Sequence, residues 1–531
     1  MEKRVLLAAV LSGVVVILWF SFFAPKPQPV PSGAEPVATA AAAAGAAANP
    51  TAGAAGGAAA GGSPAAPAGP VVPAEVGEDA TPIAVAGDGW HGTVDPRGAA
   101  FSSLILDGYK DDHGQPLDLV RAGVPGPLSI AAAGAWNEAL YKVERTAGGV
   151  TLRWSDGAGN WVEKKIAAGK GKYAVDVEVR AGGAPARDGV VVASGIEKAL
   201  KVDQQGRFGA EGAVVRLNGK VEQILAAKLD SVRTLRGAID FAGVEDQYFL
   251  LALMPNEPPV EVLVARLGTG ATALPQTVIV GAGGVVSGTL YAGAKERSIL
   301  LGYGRGLVDT LSFGIFGILS VGFLAALRWI YGWVGNWGVA IIVLTAGIRI
   351  LLFPLNHKSA VAMKRMQVLQ PKMKAIQDRY KDRAKKDPNV RTRMNQEVMQ
   401  LYKDEGVNPM GGCLPMLVQL PILWALYSLF AYAIELRQAP FVFWIHDLAA
   451  KDPTYITPIL MTASMVLQQK MAPQVGDPAQ RRMFMFMPFI FGFMFMSFPA
   501  GLVLYWLVNN LFTIGQQMLT ERMMTTAAQP K

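Results

Sequence analysis

The chain has 531 residues, 51% apolar and only 17% charged, where soluble globular proteins carry about 25% charged residues. With a mean hydropathy of +0.29, this argues against a wholly soluble chain and for membrane spans. A single cysteine, Cys413, excludes an internal disulfide framework and a cysteine metal cluster, and the four scattered histidines share no metal-ligand spacing.

In chain order, the first element is an apolar run, Val5 to Phe23, nineteen residues without a charge. It is long enough to cross roughly 30 Å of hydrocarbon. No A-x-A-like site precedes Pro25, so residues 1–24 are predicted to be an uncleaved anchor. Lys3 and Arg4 place its start in the cytoplasm. Residues 25–80 are rich in Ala, Gly and Pro. They lack the large apolar side chains needed to offset ordering entropy and read as a flexible tether.

Residues 81–306 show short alternating runs, such as Val150–Trp154, Tyr173–Val179 and Val285–Tyr291. Turn signals such as Asp88-Gly89, Asp156-Gly157 and Asn218-Gly219 separate them. The pattern predicts one all-β sandwich. It contains no G-x-S-x-G, no H-E-x-x-H and no phosphate-binding loop.

From residue 307 the pattern is that of a polytopic α-helical membrane protein. Apolar helical stretches cover 307–334, 337–355, 414–433, 455–471, 483–498 and 501–518. Between the second and third of these, residues 357–411 hold thirteen Lys/Arg against six Asp/Glu, a surplus of seven in a chain whose net charge is +8. Such a segment belongs on the cytoplasmic side. If 307–334 crossed the bilayer, 337–355 would cross back and leave this segment outside. So 307–334 is predicted to lie in the outer interface, as its glycines and the Arg328/Trp329/Tyr331/Trp333 cluster suit. The result is six transmembrane helices, one interfacial helix, both termini inside and the β domain outside. A short cytoplasmic tail, 521–531, closes the chain.

The basic segment reads as a cytoplasmic helical hairpin, 358–384 and 390–404, broken at Asp387-Pro388-Asn389. Its Lys364, Arg365, Lys372, Lys374, Arg379, Lys385 and Lys386 either touch anionic headgroups or form a docking arm for a ribosome, targeting factor or substrate.

Arg349 lies inside the span 337–355, and no other span supplies an Asp or Glu at its depth. A mid-bilayer arginine costs about 2.5–3.5 kcal/mol on insertion scales and normally needs a partner. Thr345 is one turn away on the same face. Gln419 lies in the third span, Ser464 and Gln468 in the fourth, and Tyr505, Trp506, Asn509 and Asn510 in the sixth. Two readings stand at this point: interhelical hydrogen-bond glue, or a hydrophilic groove with an unpaired cation that draws in acidic or polar peptide segments. The fifth span is a Met/Phe run, adaptable to varied partners or simply lipid-facing. The fourth and fifth are short, at about 16 residues or roughly 24 Å, so the bilayer thins locally around them.

Four motifs then carry a resemblance: Asn408-Pro-Met-Gly-Gly-Cys-Leu-Pro415, Glu435-Leu-Arg-Gln-Ala-Pro440, Trp444-Ile-His-Asp-Leu448 and Phe498-Pro-Ala-Gly-Leu-Val-Leu-Tyr505. In order and spacing the chain resembles the YidC-type membrane protein insertases of Gram-negative bacteria, closely over 307–520. The resemblance implies insertion and folding of inner-membrane proteins, alone or beside the Sec translocon. It implies a groove open to cytoplasm and lipid and closed outside, with Arg349 as the groove arginine and Thr345 and Trp506 at substrate-contact positions. It implies a periplasmic β-super-sandwich, similar in fold to sugar mutarotases, and a bacterial inner-membrane location. The partners implied are nascent membrane proteins, the ribosome, the signal recognition particle or its receptor, and membrane lipids. No cofactor, metal, catalysis or nucleic-acid substrate is expected, and the chain is expected to act as a monomer. Trp506 stands where many relatives have tyrosine, and the tail after Met518 carries few basic residues.

The alternatives are a small-solute transporter or channel, an intramembrane or periplasmic enzyme, and a structural scaffold. The first lacks inverted halves and paired carboxylates. The second lacks a nucleophile–base pair. The third implies harmless groove substitutions.

Overall fold

A computed structural model describes residues 72–527 except 112, 147, 197–210, 270–272, 385–386, 408–413 and 472–477. The anchor 1–24, the tether up to residue 71, Lys385 and Lys386 lie outside the described residues.

Between Ile83 and Ala294 the described residues form three antiparallel sheets. The largest has nine strands. Its centre is built by Ile239–Glu245, Phe249–Pro255, Val285–Ala294 and Ala174–Gly182, in that spatial order. A four-stranded sheet containing Val190–Ser194 and Leu274–Val280 packs over Ile239–Glu245. The third sheet, four strands between Ile83 and Asp118, packs over Trp161–Ala168. A nine-stranded sheet leaves more apolar face than one four-stranded sheet covers, and the two small sheets pack against different strands of it.

Alternation sets the inward positions. In Trp161–Ala168 these are Val162, Lys164 and Ile166, so a lysine occupies a core position. Its Nζ donates to the carbonyls of Gly98 (2.7 Å), Ala99 (3.0 Å) and Leu128 (2.7 Å). Three acceptors match the three protons of an ammonium group, and they tie the large sheet to loops of the third. Lys164→Met is expected to leave three buried carbonyls without a donor and to cost about 2–4 kcal/mol. Thermal unfolding of the β domain, followed by limited proteolysis, checks this; an unchanged midpoint contradicts it.

From Gly317 onward the described residues form eight helices: α1 (Gly317–Val334), α2 (Trp337–Val368), α3 (Gln370–Ala384), α4 (Pro388–Asp404), α5 (Leu414–Tyr432), α6 (Ile456–Met471), α7 (Pro478–Phe495) and α8 (Ala500–Ala527). Three of them, α1, α2 and α5, are long and apolar enough to cross a membrane, and α7 contains a shorter apolar stretch, Met485–Phe495.

Several helix ends differ from the sequence reading. The helix predicted from 307 starts at Gly317, and Leu307–Thr310 is a separate short turn. The helix α2 runs through Pro354 and past 355 to Val368, absorbing the start of the expected first hairpin arm. The helix α8 runs on past 518 to Ala527. Hydropathy marks where lipid ends, whereas a helix continues into water as long as no breaker stops it.

The turn between α1 and α2 is short because its two residues each do a terminal job. Gly335 takes the left-handed conformation (φ 64°) and donates its N–H to Tyr331 O. Asn336 then caps α2, its side chain accepting from Val339 N–H at 3.0 Å. Gly492 on α7 permits close approach to α6: a Cβ there would lie 2.1 Å from the Thr462 hydroxyl.

The helix α8 packs against α2 and α6, α6 against α7, and α1 against both α2 and α5. The helices α3 and α4 form an antiparallel hairpin with a small core of Leu369, Tyr402 and Val407, flanked by Met366, Met373 and Val398. Exposed ion pairs Lys372–Glu405 (2.5 Å) and Arg379–Glu397 (2.8 Å) cross it; pairs of this kind set register more than stability.

Candidate functional site

Three of the polar residues predicted in other spans, Arg349, Gln419 and Ser464, bond to α8. Residues four apart share a helix face, so Tyr505 and Asn509 look one way while Asn510 looks another. The Arg349 Nε–H on α2 donates to Asn509 Oδ1 at 2.6 Å. The Gln419 amide on α5 donates to the Tyr505 hydroxyl at 2.5 Å. The Asn510 amide donates to Ser464 Oγ on α6 at 3.0 Å. Through these three bonds α8 holds three different helices.

The same bonds divide the candidate residues into two groups. Ser464, Tyr505, Asn509 and Asn510 are buried, and their polar atoms are used between helices. Thr345 is also buried and returns its hydroxyl to Ile341 O at 2.7 Å, one turn back on its own helix. Trp506 packs against Phe495 (ring centroids 5.2 Å apart) and Phe491 (6.5 Å) of α7. Gln419 and Gln468 are half-buried.

Arg349 differs from the rest. It is half-buried, and its hydrogen bond is to a neutral amide. Among the described residues no carboxylate pairs with it. It borders a cavity of about 370 Å³ between α2 and α8, lined by Ile350, Phe353, Leu511, Phe512, Gly515, Gln516 and Leu519. The guanidinium thus borders an open, mainly apolar space and bonds to a neutral amide. In such low-dielectric surroundings a positive charge acts strongly on an acidic group that comes near.

Two features escape the sequence reading. On α1, Ser320 is buried, donates to Ala425 O (2.9 Å) and lies 3.0 Å from the Ser428 hydroxyl. Arg328, eight residues on, forms an ion pair with Glu435 beyond the end of α5. Both contacts join residues more than a hundred positions apart, so no local pattern announces them. The second feature is Asp452, buried in the connection before α6. It accepts from Thr457 N–H (2.8 Å) and Oγ1 (2.6 Å), Thr454 N–H (2.9 Å) and Oγ1 (2.7 Å), and Trp444 Nε1 (3.3 Å). Burial pushes its carboxyl up, but the Thr457 and Thr454 donors outweigh this and hold it at about 2. The sequence carries a signal for it: an aspartate followed by threonines just before an apolar run is an N-terminal cap pattern.

Comparison with known proteins agrees with this layout. Residues 82–325 match the YidC periplasmic domain, and residues 329–527 match the 60Kd inner membrane protein family. The membrane protein insertase YidC of Syntrophus aciditrophicus (strain SB) is 35% identical over 553 residues, covering 97% of this chain and 99% of the relative. The YidC insertase of Geobacter metallireducens is 34% identical over 554 residues, covering 99% of each. A crystal structure described as an active YidC insertase with its first transmembrane domain resolved overlays with a TM-score of 0.37 at 19% identity, covering 84% of this chain and 94% of that one. A β-rich domain of the YidC periplasmic type, followed by a helical part rich in apolar helices and related end to end to insertases, makes this chain a member of the YidC family of membrane protein insertases.

Proposed function

We propose that the protein inserts and folds inner-membrane proteins by a non-catalytic route, alone or with the Sec translocon. The observation that carries this reading is Arg349, a cation held by a neutral amide at the edge of an open cavity. A hydrophobic client helix slides along the spans while its polar flank crosses beside Arg349. Burial of that helix in lipid supplies the driving energy, and the guanidinium offsets part of the cost of an acidic flank. The buried bonds of Tyr505, Asn509, Asn510 and Ser464 keep the helices in place around this path, and Arg349 serves both packing and path, bonded to Asn509 and bordering the cavity. Thr345 is buried and bonds within α2, Gln419 belongs with the glue through Tyr505, and Gln468 remains a candidate contact for a client.

The topology proposed keeps both termini in the cytoplasm, the basic hairpin inside and the β domain in the periplasm. The helix α1 is apolar and long enough to span, yet the charge asymmetry around α2 leaves it no crossing. The ion pair of Arg328 with Glu435, at the outer end of α5, supports its placement at the outer face. The exposed cations of α3 and α4, Lys372, Lys374 and Arg379 among them, suit anionic lipid, a ribosome, or the signal recognition particle or its receptor.

The test is reconstitution of the purified protein into liposomes, with client insertion and solute flux measured in parallel. Insertion above protein-free liposomes, without flux, is expected. Flux without insertion makes the protein a transporter and sinks the proposal.

A further inference from the structure

The outer end of α5 is fastened to the β domain from both sides. The turn Asp246-Gln247-Tyr248 joins two central strands of the large sheet, Ile239–Glu245 and Phe249–Pro255. Asp246 Oδ1 fixes its shape by accepting from the N–H groups of Tyr248 (2.8 Å) and Phe249 (2.6 Å). From this turn the Tyr248 hydroxyl donates to Ala431 O at 3.1 Å, and the Gln247 amide donates to the same oxygen. Ala431 lies in the last turn of α5, where carbonyls have no donor within the helix. The β domain thus caps a helix of the membrane part.

The return connection is as specific. Just past α5, Arg437 donates to Lys110 O at 2.6 Å, at the end of the strand Ala100–Lys110. Gln438 donates to the same oxygen at 3.0 Å. The Arg437 guanidinium lies 5.3 Å from the centre of the Phe249 ring. Ile434 is buried in the core of the β domain itself. Both Tyr248 (2% exposed) and Arg437 (7%) are sealed from solvent, so these bonds do not compete with water.

We propose that the β domain is a positioning element for α5: Gln247 and Tyr248, through Ala431, hold the third span in register for insertion. From Ala431 to Gln419 is twelve residues of one helix, about 18 Å at 1.5 Å per residue. Pinned at its outer end, α5 keeps that position through its last turns, as far as the Ser428 contact with Ser320; Pro421, near Gln419 in the helix, interrupts its backbone hydrogen bonding. The insertion readout rests on the function proposed above; the position readout below does not.

The test uses the full chain with Cys413 replaced by serine and two reporter changes, Ser320→Cys and Ser428→Cys, whose native hydroxyls lie 3.0 Å apart between α1 and α5. Disulfide yield between them reports where α5 sits. Gln247→Ala with Tyr248→Phe removes both donors without opening the β core. The yield is expected to fall about threefold or more, the population shift that follows from losing roughly one neutral hydrogen bond, and insertion is expected to fall with it. Resistance of the β domain to protease checks that it remains folded; if the double variant fails that check, Tyr248→Phe alone is read in the same way. An unchanged yield in a folded variant overturns the proposal. A reduced yield with undiminished insertion also overturns it, while leaving the role of Arg349 to its own test.

Discussion

Arg349→Ala is expected to lower the insertion of clients with acidic external segments about tenfold, and to affect clients without such segments much less. A factor of ten requires about 1.4 kcal/mol, a fraction of the few kcal/mol that two close charges exchange at an effective dielectric near 20. Arg349→Lys keeps the charge but loses the planar Nε–H that bonds Asn509, so an intermediate yield is expected. Asn509→Asp gives the sharper discrimination. It places a carboxylate where the amide oxygen now sits, 2.6 Å from Arg349 Nε, and neutralises the cation without removing it. Its insertion defect for acidic clients is expected to approach that of Arg349→Ala. Protease protection of several reconstituted clients measures all three variants, and equal yields contradict the groove mechanism.

Asp452→Ala is expected to cost about 3 kcal/mol of stability, because donors that now serve a carboxylate lose a charged acceptor at once. The effect is expected at the connection between α5 and α6, where Asp452 also caps the start of α6. The pH dependence has a definite sign. The folded carboxyl titrates at about 2, below the roughly 3.9 of a free aspartate. The unfolded chain therefore binds the proton first as pH falls. The stabilisation is present in full above about pH 4 and is lost as pH falls towards 2. Asp452→Asn removes this window as well as the charge. Thermal unfolding in detergent at pH 7, 4 and 3 checks this: the native protein loses midpoint relative to Asp452→Asn only in the acid range. A constant difference between the two would refute the assignment.

How much of this was legible beforehand varies from residue to residue. The division into a β-rich part and an apolar helical part follows from alternation before residue 300 and long apolar runs after it, and the comparisons show that division. The i, i+4 spacing of Tyr505 with Asn509 and of Trp506 with Asn510 marked α8 as polar on more than one face. What each residue would meet was not legible, because the partners Arg349, Gln419 and Ser464 come from other helices and their approach depends on packing. Trp506 is an example: the spacing leaves glue and groove both open and the resemblance implies a substrate contact, while in space its ring packs against Phe491 and Phe495 of α7. Lys164 shows the converse. Alternation puts it on the buried face, and a reading by residue type alone sets a lysine outside. Only the three facing carbonyls explain it. An apolar run stops short of its helix wherever charge begins before the helix ends, as in α2, which carries Lys358, Lys364 and Arg365 beyond its apolar part.

The measurement that bears most directly on the whole account is the reactivity of a cysteine placed at 349, with Cys413 replaced, towards a membrane-impermeant thiol reagent. In inverted vesicles, where the cytoplasmic face is outward, labelling is expected, and a bound client is expected to suppress it. In right-side-out vesicles no labelling is expected. If position 349 resists the reagent from the cytoplasmic side in the absence of client, water does not reach the cation's position and a polypeptide flank has no polar route past it.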